Sequence, residues 1–330
     1  MHRALTILCS VVFWLISSSA HAGSFSNLYV FGDSLSDTGN LYAFFGGVYP
    51  PSPPYYDGRF SNGPVWSEQF ASELGLGALT PDLLGGSNFA VAGATTTGNL
   101  NSSVLPPATG AALDAFSSLD GQLGRWSAQS SGVADPNALY VVAFGSNDLQ
   151  GALQAASLAA DPLATISSIM SAAAAAVLAG VNQLISAGAE HILVLNTPDL
   201  TLTPRYNSAS AGVQFLIEYG ATLFNTTLAG GLSLLSGTDI DLLDINALLA
   251  SIVADPAAYG YSNATSACLD STAGTLCSNP DQYVYWDDFH PSTLTHARLA
   301  AAALVAVDEP ATLALLPLSL LALLPRRRRC

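Results

Sequence analysis

The chain contains no lysine: its nine cationic side chains are all arginine, and they face 24 acidic side chains. Arg3 and Arg326 to Arg329 lie near the two ends, so residues 23–307 keep four arginines against 22 acidic side chains, a net charge of −18. Nucleic acids and anionic lipid surfaces attract basic proteins rather than acidic ones. The charge balance therefore predicts no nucleic-acid partner and no tight binding to anionic membranes.

An apolar run opens the sequence. Residues 4–16 are apolar, residues 17–20 are small, and Ala-His-Ala follows at residues 20–22. This order is typical of a secretory signal peptide and its cleavage site, so we expect residues 1–22 to be removed and the mature chain to begin at Gly23. A retained membrane anchor is the alternative.

A second apolar segment closes the sequence. Asp-Glu-Pro-Ala-Thr at residues 308–312 precedes the apolar residues 313–324 and four arginines. Residues 308–330 resemble the PEP-CTERM sorting tail of Gram-negative bacteria, with Asp308 where that motif has its first proline. The resemblance implies transient membrane contact, cleavage by an exosortase-like enzyme, and an exported, periplasmic, cell-surface or extracellular protein. A plain tail anchor is the alternative, but the apolar stretch is shorter than the roughly 17–25 residues of a spanning helix.

The chain is poor in cysteine, with four in 330 residues. Cys9 lies in the expected leader and Cys330 in the expected tail, which leaves Cys268 and Cys277. An even pair in an oxidising compartment predicts a disulfide that closes residues 269–276; two free thiols are the alternative. No histidine or further cysteine lies at zinc-ligand spacing, so we expect neither a metal nor a cofactor.

Strand-like and helix-like segments alternate through the rest of the chain. Short apolar runs typical of strands lie at residues 28–31, 87–91, 139–144, 191–196 and 240–244, and patterns typical of helices lie at 65–74, 114–130, 163–187, 209–235 and 292–307. Such alternation predicts an α/β fold with a central parallel sheet of about five strands and helices on both faces. No linker divides residues 23–307, so we expect one domain. Its alanine-rich stretch at 171–188 is broken by Asn182 and Gln183, which favours a helix packed on the sheet over a membrane span.

A serine sits directly after the first predicted strand, in Gly-Asp-Ser-Leu at residues 32–35. A serine nucleophile needs a base, usually histidine, held by a carboxylate. The chain has five histidines, of which two lie in the expected leader, His191 opens a predicted strand and His296 lies in the predicted last helix. Only His290 follows a carboxylate, Asp287, by three residues in a predicted loop. No Gly-x-Ser-x-Gly occurs, which argues against the nucleophile turn of the α/β hydrolases.

Four short blocks occur in a fixed order along the chain. They are Gly-Asp-Ser-Leu-Ser-Asp-Thr-Gly-Asn at 32–40, Asn-Phe-Ala-Val-Ala-Gly-Ala-Thr at 88–95, Gly-Ser-Asn-Asp at 145–148 and Asp-Asp-Phe-His-Pro at 287–291. Together they resemble the four blocks of the GDSL, or SGNH, hydrolases, and the long segment after the first block is most similar to the lipase, phospholipase and haemolysin branch. The resemblance implies a flavodoxin-like three-layer sandwich.

The resemblance also implies roles for five residues. Ser34 matches the nucleophile, His290 the base and Asp287 the orienting acid, with Asp288 as the rival for that last role. The oxyanion donors would be the N–H groups of Ser34 and Gly93 and the side-chain amide of Asn147. The alternative role for Gly93 is to allow close packing of a helix on the sheet, and the alternative role for Asn147 is to cap the N-terminus of the following helix.

We therefore expect a secreted serine esterase or lipase that hydrolyses carboxylic esters. Aromatic side chains after the first block line an apolar substrate site or pack on their own loop; they are Tyr42, Phe44, Phe45, Tyr49, Tyr55 and Tyr56. A carbohydrate (exopolysaccharide) acetylesterase and a non-catalytic surface or biofilm protein are the alternatives.

Overall fold

Four parallel strands form the centre of the computed structural model, which describes residues 25–271 and 273–307. They are β1 (Leu28–Gly32), β2 (Leu139–Ala143), β3 (His191–Leu195) and β4 (Asp239–Leu243), and they pair in that order. The register places Leu28 beside Leu139 and Leu139 beside His191. The parallel sheet predicted from the alternating pattern is confirmed. The predicted signal peptide (1–22) and sorting tail (308–330) lie outside the described residues.

The fifth predicted strand, residues 87–91, runs beside the free edge of β1. The N–H of Val30 donates to the Ser87 carbonyl (3.2 Å), and the N–H of Phe89 donates to the Val30 carbonyl (2.7 Å). The pairing is irregular because the N–H of Gly32 donates to Oε1 of Gln122 (2.8 Å) and not to this segment. When this segment is counted, the order is that of a flavodoxin-like sheet, whose ligand crevice lies between β1 and β2, at the carboxyl ends of the strands.

Helices cover both faces of the sheet. They are α1 (Asn40–Phe44), α2 (Trp66–Glu73), α3 (Pro107–Ser117), α4 (Leu119–Ser130), α5 (Ser146–Ala156), α6 (Pro162–Ser186), α7 (Ala211–Leu232), α8 (Ile245–Ala254) and α9 (Thr293–Val307). Alternate residues of β2 face opposite sides: Tyr140 packs in the core under α4 to α7, and Val141 in the core under α2 and α9. The side-chain period of two thus builds the three layers.

One helical prediction needs correction, and three helices were missed. The predicted helix at 114–130 is two helices, α3 and α4, because Ser118 caps α4 by accepting a hydrogen bond from the N–H of Gly121 (3.1 Å). Helices α1, α5 and α8 were not predicted. Helix α6 is long and apolar enough to cross a membrane by length and composition. Its buried side chains, including Ile166 and Met170, pack in the core with α5 and α7, as the alanine-rich pattern predicted.

The predicted disulfide is present. Cys268 and Cys277 are joined, with their Cα atoms 4.8 Å apart. Strands β6 (Leu269–Asp270) and β7 (Thr275–Leu276) form a short hairpin inside the closed loop. Two further short strands, β5 (Asn263–Ala267) and β8 (Tyr283–Tyr285), pair next to it. The N–H of Leu269 donates to the carbonyl of Trp286 (2.6 Å), so the closed hairpin is bonded to the residue before Asp287.

Candidate active site

Ser34 lies in the turn that follows β1, at the carboxyl edge of the sheet. Its Oγ is 2.9 Å from Nε2 of His290, and Nδ1 of His290 is 2.8 Å from Oδ2 of Asp287. Ser34 and His290 are 256 positions apart in the sequence, and the fold brings them into hydrogen-bond contact. All three side chains are largely shielded from solvent, which strengthens the hydrogen bonds between them.

Four hydrogen bonds converge on the Asp287 carboxylate. Oδ1 accepts from the N–H groups of Phe289 (2.8 Å) and His290 (2.6 Å), while Oδ2 accepts from His290 Nδ1 and from the hydroxyl of Tyr55 (2.7 Å). Burial by itself would raise the pKa of Asp287, but the charge of His290 and the hydrogen bonds from His290 and Phe289 lower the pKa to about 2. An ionised carboxylate only accepts, so Nδ1 of His290 carries a proton and Nε2 is left to accept from Ser34.

Tyr55 is a contact that sequence reasoning missed. Burial and the neighbouring Asp287 raise the pKa of Tyr55 above its ordinary value, so its hydroxyl stays protonated and donates. The sequence shows that the segment after the first block, residues 42–62, is rich in aromatic side chains, but no local pattern shows that one hydroxyl reaches a carboxylate 232 positions away. The ring of Phe60, from the same loop, lies 4.9 Å from the imidazole of His290 and shields it.

The three candidate oxyanion donors meet beside Ser34. Ser34, Gly93 and Asn147 line one cavity of about 190 Å³, together with Asp287 and His290. Among the described residues, neither the N–H of Ser34 nor that of Gly93 has a hydrogen-bond acceptor. The amide of Asn147 donates to the Ala94 carbonyl (3.0 Å) and to Asp33 Oδ2 (3.3 Å).

Gly93 and Asn147 are held by their local backbone. Gly93 has φ of +79°, and a Cβ there would stand 2.7 Å from Oδ1 of Asn99, so both conformation and packing require glycine. Helix α5 begins at Ser146, with Gly145 at its N-cap position and no side-chain cap. Asn147 is therefore not the cap, and the capping alternative is wrong.

Buried carboxylates tie the blocks together. Asp37 accepts hydrogen bonds from its own turn and from the N–H of Ala92 (2.8 Å), next to Gly93. Asp148 accepts from both the N–H and the hydroxyl of Thr96 (3.0 and 2.6 Å). Burial raises the pKa of Asp33 and of Asp37 to about 6. The first, second and third blocks are thus cross-linked around the cavity.

The other acid and base candidates lie elsewhere. Asp288 forms a two-pronged ion pair with Arg205 (2.8 and 3.0 Å) and makes no hydrogen bond to His290. His191 begins β3 and pairs weakly with Asp239 at 3.4 Å. His296 is fully buried on α9. Within the described ranges, no cluster of three or more histidine, cysteine or acidic side chains is placed to hold a metal.

The aromatic residues of the 42–62 segment divide between the two expected roles. Tyr49 and Tyr55 line the catalytic cavity, and Phe45 lines an apolar cavity next to it. Phe44 instead stacks on Phe116 with ring centres 5.2 Å apart. Tyr56 is exposed at 41%. Tyr42 lines a separate surface cavity.

Comparison with known sequences gives a consistent set of relatives. The sequence model of the family described as GDSL-like Lipase/Acylhydrolase matches residues 28–303. Phosphatidylcholine-sterol acyltransferase of Aeromonas hydrophila is 26% identical and covers 94% of this chain and 98% of that protein. Lipase 1 of Photorhabdus luminescens is 25% identical over 90% of this chain, which spans about half (52%) of that relative. Thermolabile hemolysin of Vibrio parahaemolyticus is 23% identical, and the match covers 87% of this chain and 65% of that protein.

Solved structures give more distant matches. A lipase/acylhydrolase from Enterococcus faecalis matches with a TM-score of 0.40 and 14% identity, over 86% of this chain and 95% of that one. An acetyl xylan esterase, AlAXEase, matches with a TM-score of 0.39 and 11% identity, over 85% of this chain and 99% of that one.

Proposed function

We propose that this chain, which belongs to the GDSL-like lipase/acylhydrolase family and is an ester-bond hydrolase, cleaves carboxylic esters through an acyl-enzyme on Ser34. The observation that carries the proposal is the continuous relay from Ser34 through His290 to Asp287, with contacts of 2.9 and 2.8 Å. A nucleophile, a base and a group that orients the base are the parts that serine acyl transfer needs.

The first half-reaction begins at Ser34. Its Oγ attacks the ester carbonyl carbon while Nε2 of His290 takes the hydroxyl proton. The carbonyl oxygen becomes a tetrahedral oxyanion, and Asp287 stabilises the imidazolium that has formed. When the carbon–oxygen bond to the alcohol breaks, Nε2 gives its proton to the leaving oxygen, and the acyl group remains on Ser34.

The oxyanion is stabilised by preorganised donors. The N–H groups of Ser34 and Gly93 are free to donate to it without breaking another hydrogen bond. Asn147 has two amide hydrogens in use, and the oxyanion replaces the longer contact, the one to Asp33 at 3.3 Å. Each donor of this kind typically accounts for about 10²–10³ in rate.

Water completes the second half-reaction. His290 Nε2 takes a proton from water, which attacks the acyl carbon, and the same donors hold the second oxyanion. Collapse of that intermediate breaks the bond to Ser34 Oγ, which takes the proton back from His290. The products are a carboxylic acid and the free enzyme.

The decisive experiment compares the wild-type protein, expressed from the full chain, with Ser34→Ala on p-nitrophenyl esters. We expect Ser34→Ala to lower kcat by about a thousandfold or more while the protein still folds. Ser208→Ala, at an exposed position away from the cavity, is the matched control and keeps full activity. Hydrolysis that survives in Ser34→Ala contradicts the proposal. Turnover of acetyl esters only would favour the carbohydrate acetylesterase that the sequence left open.

Export is also part of the proposal. Residues 1–22 act as a signal peptide, residues 308–330 as a sorting tail held briefly at the membrane and cut by an exosortase-like enzyme, and the host is a Gram-negative bacterium. The Cys268–Cys277 disulfide supports an oxidising compartment. Intact mass measurement of the protein from its host tests this, and a chain that retains both ends contradicts it.

A further inference from the structure

A second cavity, of about 320 Å³, adjoins the catalytic one. Most of its wall is apolar; the lining side chains that are not shared with the catalytic cavity are Phe45, Asn99, Val104, Leu105 and Leu113. Leu41, Tyr49 and Asn101 line both cavities. The second cavity therefore lies directly beside the space around Ser34, and we call it the side cavity.

The side cavity lies on the Gly93 side of the nucleophile. Oδ1 of Asn99, in its wall, is 2.7 Å from the point where a Cβ on Gly93 would stand. In serine acyl transfer the base protonates the leaving alcohol, so the alcohol lies towards His290. The rings that contact His290 are those of Phe60 and Phe289, and neither lines the side cavity. This geometry favours the acyl chain over the alcohol as the part of the ester that enters the side cavity.

The wall of the side cavity suits an alkyl chain and not a sugar. Among the residues that the structure describes, no charged side chain lines it. The polar atoms of Asn99 are already bonded: Nδ2 donates to the Ala92 carbonyl (2.9 Å) and Ser117 Oγ (3.1 Å), and Oδ1 accepts from the N–H of Asn101 (3.0 Å). The other two polar side chains of the wall, Tyr49 and Asn101, lie where the side cavity borders the catalytic one. A hydroxyl-rich group placed beyond them would lose its hydrogen bonds to water without regaining them.

We infer that the side cavity binds the acyl chain and that the preferred substrates carry medium-length acyl chains, an inference that rests on the proposed function. A cavity of about 150 Å³ holds the six carbons of benzene, so the volume of about 320 Å³ corresponds to roughly ten to twelve carbons. Val104, which is 81% exposed, marks the outer rim, where a longer chain runs into water.

The volume of the side cavity and the exposed position of Val104 predict how kcat/KM depends on the length of the acyl chain. Each methylene moved out of water raises kcat/KM by up to about fourfold. We expect kcat/KM on p-nitrophenyl esters to rise from acetate through octanoate and to level off near dodecanoate, because further carbons pass Val104 and stay hydrated.

Two variants test the assignment in the full chain. Val104→Asp places a carboxylate at the rim, and Val133→Asp, at a valine that is 66% exposed and outside the cavity wall, is its matched control. Leu105→Trp fills the cavity from a partly buried position. We expect Val104→Asp to lower the dodecanoate-to-acetate ratio of kcat/KM about fivefold or more, and Leu105→Trp to lower it about tenfold. Val133→Asp leaves both this ratio and the turnover of acetate unchanged.

The outcomes separate the two proposals. If acetate hydrolysis depends on Ser34 but both cavity variants leave the ratio unchanged, or if wild-type protein prefers acetate, the acyl-chain assignment is wrong and the serine esterase proposal stands. If no ester is turned over in a Ser34-dependent way, the proposed function fails and the acyl-chain assignment with it.

Discussion

At the scale of single residues, four hydrogen bonds fix the Asp287 carboxylate. It holds the imidazole through Oδ2 and its own loop through Oδ1. The Tyr55 hydroxyl shares Oδ2 with His290, so this oxygen has two donors that fix its position. We regard Tyr55 as a positioning residue, since it reaches the reacting atoms only through Asp287 and His290.

Tyr55→Phe tests that role. A hydrogen bond to a charged group contributes about 1.5 kcal/mol or more, so we expect kcat on a p-nitrophenyl ester to fall roughly tenfold with KM unchanged. Tyr56→Phe removes a hydroxyl from the neighbouring position, which does not contact Asp287, and serves as the control. A rise in KM with kcat unchanged would assign Tyr55 to substrate binding instead.

At the scale of elements, helix α9 contains a histidine that is completely buried in the core. It packs against α2 and places His296 in full burial, where neither ring nitrogen has a hydrogen-bond partner among the described residues. Burial, with a smaller contribution from His290, lowers the pKa of His296 to about 3. The folded protein therefore keeps this ring neutral at a pH where the unfolded chain has already protonated it.

His296→Leu should relieve a pH-dependent loss of stability. As the pH falls from 6.5 towards 3, the unfolded chain binds a proton that the folded chain does not, which costs about 1.4 kcal/mol per pH unit. We expect the stability gained by His296→Leu, measured by urea unfolding, to be about 2 kcal/mol larger at pH 5 than at pH 8.

Comparison with a second variant isolates this effect. Asp33 and Asp37, with pKa values raised to about 6, act in the opposite sense, since they stabilise the fold as the pH falls. Their contribution is present in the wild-type protein and in the His296→Leu variant alike, so it cancels in the comparison. Thr295→Val, at the buried position before His296, adds or removes no titrating group, so its effect should be equal at both pH values. An equal gain from His296→Leu at pH 5 and pH 8 would show that the ring does not set this dependence.

At the scale of the whole molecule, charge is the dominant feature. The region between the terminal segments carries a net charge of −18, and three of its four arginines, Arg59, Arg125 and Arg205, are paired with carboxylates. The remaining acidic side chains repel one another, and this repulsion weakens the folded state.

Salt should therefore stabilise the fold. Raising NaCl from about 0.01 to 0.15 M shortens the Debye length from about 30 to 8 Å. We expect Tm at pH 7.5 to rise by roughly 2–4 °C, the shift that about 1 kcal/mol produces in a domain of this size. Near pH 4 many carboxylates are neutral, and the same salt change should have a smaller effect. A Tm that is independent of salt at pH 7.5 would contradict the repulsion argument.

Local signals in the sequence were sufficient to predict the strands of the sheet, most of the long helices, the disulfide and the candidate site residues. The four strands of the sheet and most of the long helices followed from hydrophobic runs, because a strand or helix must turn its apolar side chains towards a core. The disulfide followed from cysteine count and the expected compartment. The five candidate site residues followed from short blocks, each of which is contiguous along the chain.

The sequence by itself therefore determined the α/β alternation, the order of the blocks and the chemistry that Ser34, His290 and Asp287 can perform. Only the tertiary structure decided that Tyr55 reaches Asp287, that Asp288 pairs with Arg205, and that an apolar side cavity lies beside the space around Ser34. The reason is physical. Periodicity and turn chemistry are properties of neighbouring residues, whereas these contacts join side chains far apart in the chain, and their distances depend on how all the layers pack.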